Sequence, residues 1–263
     1  MSNTAITLLG ISFIFIMTTI GAALVFFFKK DISPKANTLF LGFASGVMIA
    51  ASVWSLLIPS IEGAQEGYGI LNWLPAALGF LIGGLFLVLL DKAVPHFHRA
   101  TNEEEGPHIS LKRSTKLFLA VMIHNIPEGL AVGFAFGAAL AGQGSAGYIS
   151  ALGLALGIGI QNLPEGAAVS LPMKVSTGSR LKAFLYGMGS GAVEPVSAII
   201  GLILASALSA IQPWLLAFAA GAMVFVVAED LIPEAKLEEH PHLGTWGVML
   251  GFAVMMVLDV ALG

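Results

Sequence analysis

His124, Asn125 and Glu128 stand together in the string Met122-Ile-His-Asn-Ile-Pro-Glu-Gly-Leu-Ala-Val-Gly133, and Gln161, Asn162 and Glu165 stand in Ile160-Gln-Asn-Leu-Pro-Glu-Gly166. Each set gathers nitrogen and oxygen lone pairs around a helix-breaking proline. On an α-helix, residues four apart share a face and residues three apart are neighbours. His124 and Glu128 are therefore expected to point one way with Asn125 beside them, and the second string repeats the pattern. Glu194, in Gly191-Ala-Val-Glu-Pro195, adds a third carboxylate beside a proline. Pro127 and Pro164 donate no backbone hydrogen bond, so they free the carbonyls of Ile123 and Ile160 and are expected to kink their helices.

These polar groups sit in an oily chain. Its residues are 57% hydrophobic and 11% charged, with a mean hydropathy of +0.89, whereas a soluble domain carries about 25% charged residues. The apolar residues come in continuous blocks near the roughly 20 residues that a helix needs to cross a hydrocarbon core. The expected fold is an all-α integral membrane bundle of eight transmembrane helices. The spans fall near 5–28, 38–60, 73–93, 115–139, 147–171, 182–207, 211–232 and 244–262. They make a single polytopic membrane domain over 1–263, with its longest hydrophilic connection read as a loop at 95–114. The first block lacks a basic leader and is too long for a signal-peptide core, so it reads as a retained span. The absence of cysteine excludes disulfides and thiolate ligands.

The basic residues orient the spans. All 12 Lys and Arg lie on odd-numbered connections, from Lys29, Lys30 and Lys35 to Lys236. The positive-inside rule turns those connections to the cytoplasm and leaves both termini outside. Spans four and five then run in opposite directions, which relates their two motifs by an approximate two-fold axis in the membrane plane. Inverted repeats with a site at their interface are a transporter signature. Gly129, Gly133 and Gly137, with Gly153 and Gly157, offer small faces for close helix packing.

A charge at a helix centre costs roughly 2.5–3.5 kcal/mol on insertion scales, or about 8–10 for three unpaired carboxylates. The Lys and Arg that fall within these bounds, Lys92, Lys116 and Lys182, sit at span ends rather than near the carboxylates, so protonation, water or a bound cation must compensate them. Imidazole, amide oxygen and carboxylate together suit a divalent transition metal. The plainer reading is a pair of kinked helices whose polar groups satisfy one another.

The chain resembles the ZIP (Zrt-, Irt-like protein) family of divalent-metal transporters, in particular its GufA-like bacterial branch. The resemblance rests on HNIPEG in span four, QNLPEG in span five, GAVEP in span six and GFASGVMIAAS in span two. It implies a two-metal site within the membrane. His124, Glu128, Gln161 and Glu165 would hold the first ion, with Met48 opposite as a thioether ligand. Glu128 and Glu165 would bridge to a second ion completed by Asn125, Asn162 and Glu194. Asp91, His96, Glu229 and Asp230 match family segments on the cytoplasmic side and would pass the ion inward. The resemblance also implies an elevator-like motion of spans one, four, five and six against two, three, seven and eight. Gln161 stands where many members have histidine, and Asn162 where some have aspartate; neutral amides are poorer zinc ligands than imidazole or carboxylate.

The expected function is uptake of a divalent transition metal, zinc first, with cadmium, iron, manganese and cobalt as further candidates. Alternating access would carry it into the cytoplasm. A metal exporter or efflux antiporter is the alternative. An intramembrane zinc protease fits poorly, because no HExxH string is present. The chain is thus expected to be no enzyme, to hold no cofactor besides the transported metal, and to bind no nucleic acid. Its partners are the lipid bilayer, metal ions and, from its glycine-rich spans, a second copy in a homodimer. The location is a cell or inner membrane, crossed many times. Two hydrophilic patches, His96 to His108 and Glu238 to His242, read as solvated loops, with capture of released metal as the alternative. Asp259 reads as an outer-interface residue.

Overall fold

The computed structural model describes residues 2–27, 33–97, 104–107, 109–235 and 239–262, and within these the side chains of 113–114 and 143–146 are not considered. Lys29, Lys30, His98, Arg99, Glu103, His108, Lys236 and Glu238, which entered the reading of orientation and loops, lie outside the described residues. Among the described residues, nine principal helices follow one another: α1 (Asn3–Ala23), α2 (Pro34–Ala51), α3 (Trp73–Ala93), α4 (Arg113–Ala138), α5 (Gly144–Thr177), α6 (Arg180–Gly191), α7 (Val193–Ala207), α8 (Gln212–Val226) and α9 (Pro241–Leu262). Serines at 2, 33 and 179 cap α1, α2 and α6, each accepting a bond from a backbone N–H three residues on.

Seven stretches among the described residues are long and apolar enough to cross a membrane: Asn3–Phe26, Pro34–Gly63, Trp73–Ala93, Thr115–Gly142, Arg180–Ala207, Ser209–Glu234 and Pro241–Leu262. The count expected from sequence is eight. The remaining stretch is α5, which is 34 residues long but carries Gln161, Asn162 and Glu165 together with Pro164 and Pro172 in its interior. Both α4 and α5 continue as helices through Pro127 and Pro164. Among the described residues, three spans extend through π-helical turns, α2 through Ser52–Leu57, α4 through Ala139–Gln143 and α8 through Val227–Leu231. Such turns widen a helix by one residue and are frequent at functional sites.

The connection at 95–114 departs from a plain loop. His96–Phe97 (β1) pairs antiparallel with Glu104–Glu105 (β2), placing His96 opposite Glu105. Gly106 follows at a φ of 78°, a left-handed turn closed tightly against the Val94 carbonyl.

The helices pair along four seams: α1 on α5, α4 on α7, α2 on α9 and α3 on α8. Each seam is closed by a glycine against a facing carbonyl. Gly166 meets Thr18, Gly133 meets Ala198, Gly46 meets Val248 and Gly83 meets Phe218, so close that an added Cβ would collide with the carbonyl oxygen. Without side chains between them the backbones come into direct contact, which is how helices associate where lipid removes the hydrophobic drive. Gly129 and Gly137 also face α7, whereas Gly153 and Gly157 face α9 through Leu262 and Met255. With α6 lying on α1 and α5, the seams sort the helices into two sets. One holds α1, α4, α5, α6 and α7; the other holds α2, α3, α8 and α9. Between the sets, α5 packs on α2 and α4 packs on α8.

Candidate metal centre

The two motifs meet where α4 crosses α5, and α7 closes the meeting point from the side. Glu194 is the hub, wholly buried. Its Oε1 accepts hydrogen bonds from Asn125 Nδ2 at 3.1 Å and Thr18 Oγ1 at 2.8 Å, and its Oε2 accepts one from Asn162 Nδ2 at 2.9 Å. Asn125 Nδ2 also donates to the Ser190 carbonyl at 3.1 Å. Gln161 Nε2 donates to Glu128 Oε1 at 2.6 Å and to Asn162 Oδ1 at 2.8 Å, which joins the second carboxylate to the hub. The result is one continuous chain of polar side chains drawn from α1, α4, α5 and α7. Its four donor residues are neutral: three amides and a hydroxyl.

Two acceptors in this chain have no partner, Glu128 Oε2 and Asn125 Oδ1, and both atoms are sealed from solvent. An unsatisfied buried acceptor costs about 1–3 kcal/mol, more when charged. Both are oxygen lone pairs, one from a carboxylate and one from an amide, and both suit a hard or borderline cation.

His124 does not join Glu128. Its Nε2 lies 3.0 Å from Asp230 Oδ2, on the π turn after α8. Glu165 lines, with His124, Glu234, Leu41 and Leu231, a cavity of about 30 Å³, which is room for one water-sized occupant. The four residues expected around the first ion are thus divided. Glu128 and Gln161 are bonded to each other, while His124 and Glu165 share the cavity about one helical turn away. Among the described residues, no three His, Asp or Glu side chains stand together as a ligand set. Met48 is fully buried on α2.

On the side of the β1–β2 pair, His96 Nε2 lies 3.5 Å from Asp91 Oδ1 and 3.9 Å from Glu105 Oε2, and its Nδ1 lies 2.9 Å from the Val94 carbonyl. Asp91 is within electrostatic reach of His124 and Asp230. Of Glu229 and Asp230, adjacent in sequence, Glu229 is exposed and Asp230 turns to the imidazole. Asp259, near the end of α9, is buried against neighbouring helices. It accepts a hydrogen bond from Ser55 Oγ, and its Oδ2 has no partner.

Two members of the site escaped sequence reasoning. Thr18 carries no signal, since a threonine in a span ordinarily bonds back to its own helix, and Thr18 also does so to the Ile14 carbonyl at 3.1 Å. Glu234 does carry one: in Glu229-Asp-Leu-Ile-Pro-Glu234 it follows Asp230 by four residues, which places it on the same face.

Comparison with known proteins bears on the whole chain. The profile of the family described as ZIP Zinc transporter matches residues 4–116 and 102–259. Zinc transporter ZIP11 of Homo sapiens is 38% identical over 97% of this chain and 97% of its own length. Its counterpart in Xenopus tropicalis is 40% identical over 98% and 97%. Zinc transporter GufA of Myxococcus xanthus is 39% identical over 89% of this chain and 90% of its own.

Proposed function

The chain belongs to the ZIP family of zinc transporters, and we propose that it carries zinc and related divalent metals into the cytoplasm through the α1–α4–α5–α7 cluster. It is a multi-pass membrane transporter and not an enzyme. The observation that carries the reading is the buried pair Glu128 and Glu194, whose partners are all neutral and whose chain leaves Glu128 Oε2 and Asn125 Oδ1 unpartnered. A doubly charged cation supplies what those oxygens lack.

In this reading His124, Glu128, Gln161 and Glu165 hold one ion with Met48 opposite, and Asn125, Asn162 and Glu194 complete a second, bridged by Glu128 and Glu165. Gln161 and Asn162 currently aim NH₂ groups at carboxylates. Turning each amide over brings its oxygen to the ion without backbone movement. Metal displaces protons from its ligands, so the carboxylates give up any protons they hold as the ion arrives. The α1, α4–α7 set then slides past α2, α3, α8 and α9 with the cluster intact. His124 meets Asp230 across the boundary between the sets, and Asp91, His96 and Glu229 take the ion onward. The eighth span is α5, both termini lie outside, and the location is a cell or inner membrane. Cadmium follows the zinc route, and two copies associate as a dimer.

Purified protein in vesicles loaded with a metal-sensitive dye tests the proposal, with the zinc gradient imposed in each direction and the protein's orientation determined. Flux toward the cytoplasmic face is expected. Flux confined to the opposite direction would make the chain an exporter, and none in either direction from folded protein defeats the reading.

A further inference from the structure

We propose that Met223 on α8 is a second soft donor on the metal's path, paired with Met48 on α2 as a two-thioether rung that favours soft ions; this rests on the transport reading above. The first support is a repeat within the chain. Phe43-Ala-Ser-Gly-Val-Met48 recurs as Phe218-Ala-Ala-Gly-Ala-Met223, and each copy runs on through a π-helical turn to a Leu-Ile-Pro, at 57–59 and 231–233. The packing repeats too. Gly46 closes the seam to α9 against the Val248 carbonyl, and Gly221 closes the seam to α3 against the Phe80 carbonyl.

Direction follows from helix geometry. Two residues beyond its glycine, each methionine is turned by about 200° and leaves the helix on the side away from the seam. Besides its seam partner, α2 packs on α5 and α8 packs on α4, the helices that carry the doubled motif. Both thioethers are fully buried.

Height follows from the cavity beside His124 and Glu165, which Leu41 and Leu231 both line. Met48 is seven residues after Leu41, two turns of regular helix. Met223 is eight residues before Leu231, also two turns, because the π turn takes up the extra residue. The two helices run in opposite senses, as the Ser60 bond to the Pro213 carbonyl at their far ends requires. Both methionines therefore stand on the same side of the cavity, each about 10 Å away along its helix. Glu128 and Gln161 lie about 6 Å from it, one turn past His124 and Glu165. The rung thus faces the carboxylate cluster about one turn farther from the cavity.

A thioether is neutral, polarisable and has no proton to lose, so it discriminates by softness and not by charge. Two of them facing the path favour cadmium and zinc over manganese and magnesium. The chain has no cysteine, so any sulfur around a bound metal comes from methionine.

The test combines flux and X-ray absorption on full-length protein. Met223→Leu keeps the apolar volume and removes the sulfur. It is expected to lower the cadmium-to-manganese uptake ratio several-fold in vesicles, as is Met48→Leu, whereas Met249→Leu, at an exposed position, is expected to leave it unchanged. Cadmium-edge absorption is expected to show sulfur in the wild type, less in either single variant and none in the double. A Met223→Leu variant with the wild-type ratio and full sulfur signal overturns the rung. The absorption arm needs no transport, so it judges the rung even where flux fails and the transport reading falls.

Discussion

Two polar clusters among the described residues, one around Glu194 and one around His124, are built differently. The Glu194 cluster draws all its side chains from α1, α4, α5 and α7, within one set of helices, and its donors are neutral amides and a hydroxyl. The cluster around His124 joins an imidazole on α4 to Asp230 on the π turn of the other set, with Asp91 on α3 nearby. The first keeps its geometry however the sets move, because every bond is internal to one body. The second would be made or broken if the sets slid as proposed. In the proposed mechanism, the ion would be held largely by the rigid cluster, and its release would depend on the divided one, to which His124 belongs.

The largest effect is expected at Glu128, where the comparison is easiest to break. Glu128→Ala removes the unpartnered oxygen and should bring zinc influx to background at equal membrane expression; Glu165→Ala should do nearly the same. Zinc uptake by Glu128→Ala at the wild-type rate would show that the buried cluster is structural. Asp230→Asn is next. It takes the charge from His124 without changing size, and a partner that orients a ligand is worth about 10–100-fold. The loss should appear in the maximal rate, and an unchanged rate would mean that the divided cluster has no part in release. Glu194→Ala should be milder in transport, because it reaches only the second ion, and isothermal titration should lose one of two binding events. Thr18→Val sharpens the point with a small change. It removes a bond to a carboxylate worth about 1.5–3 kcal/mol, lowering the melting temperature while leaving metal preference unaltered. Asn162→Asp should act in the other direction, tightening zinc binding or shifting preference across a panel of metals.

Much of the architecture is written in the chain because lipid imposes a length on every span. Trp73–Ala93 coincides with the block read from sequence, and the other six stretches agree within a few residues at each end. The span that separates from this pattern is α5, whose own ligand-bearing residues dilute its apolar signal. Within the site, Glu194 meets Asn125 and Asn162, a grouping that the family resemblance, not their spacing, implied. The separation of His124 from Glu128 was not legible. Four residues share a helix face but sit about 6 Å apart along the axis, far enough for each to meet a different neighbour. The β1–β2 pair was hidden for another reason: two residues per strand leave no alternation to detect.

The seams also decide what happens to a severed chain. Each of the first three helices has its glycine-closed partner in the second part of the sequence: α1 with α5, α2 with α9, α3 with α8. Nicked by a protease within the 95–114 connection, the protein should travel through detergent as a single particle, its two fragments parting only under denaturant. Each fragment expressed by itself would present bare backbone grooves to lipid and should be cleared by the cell unless its other half is made alongside it.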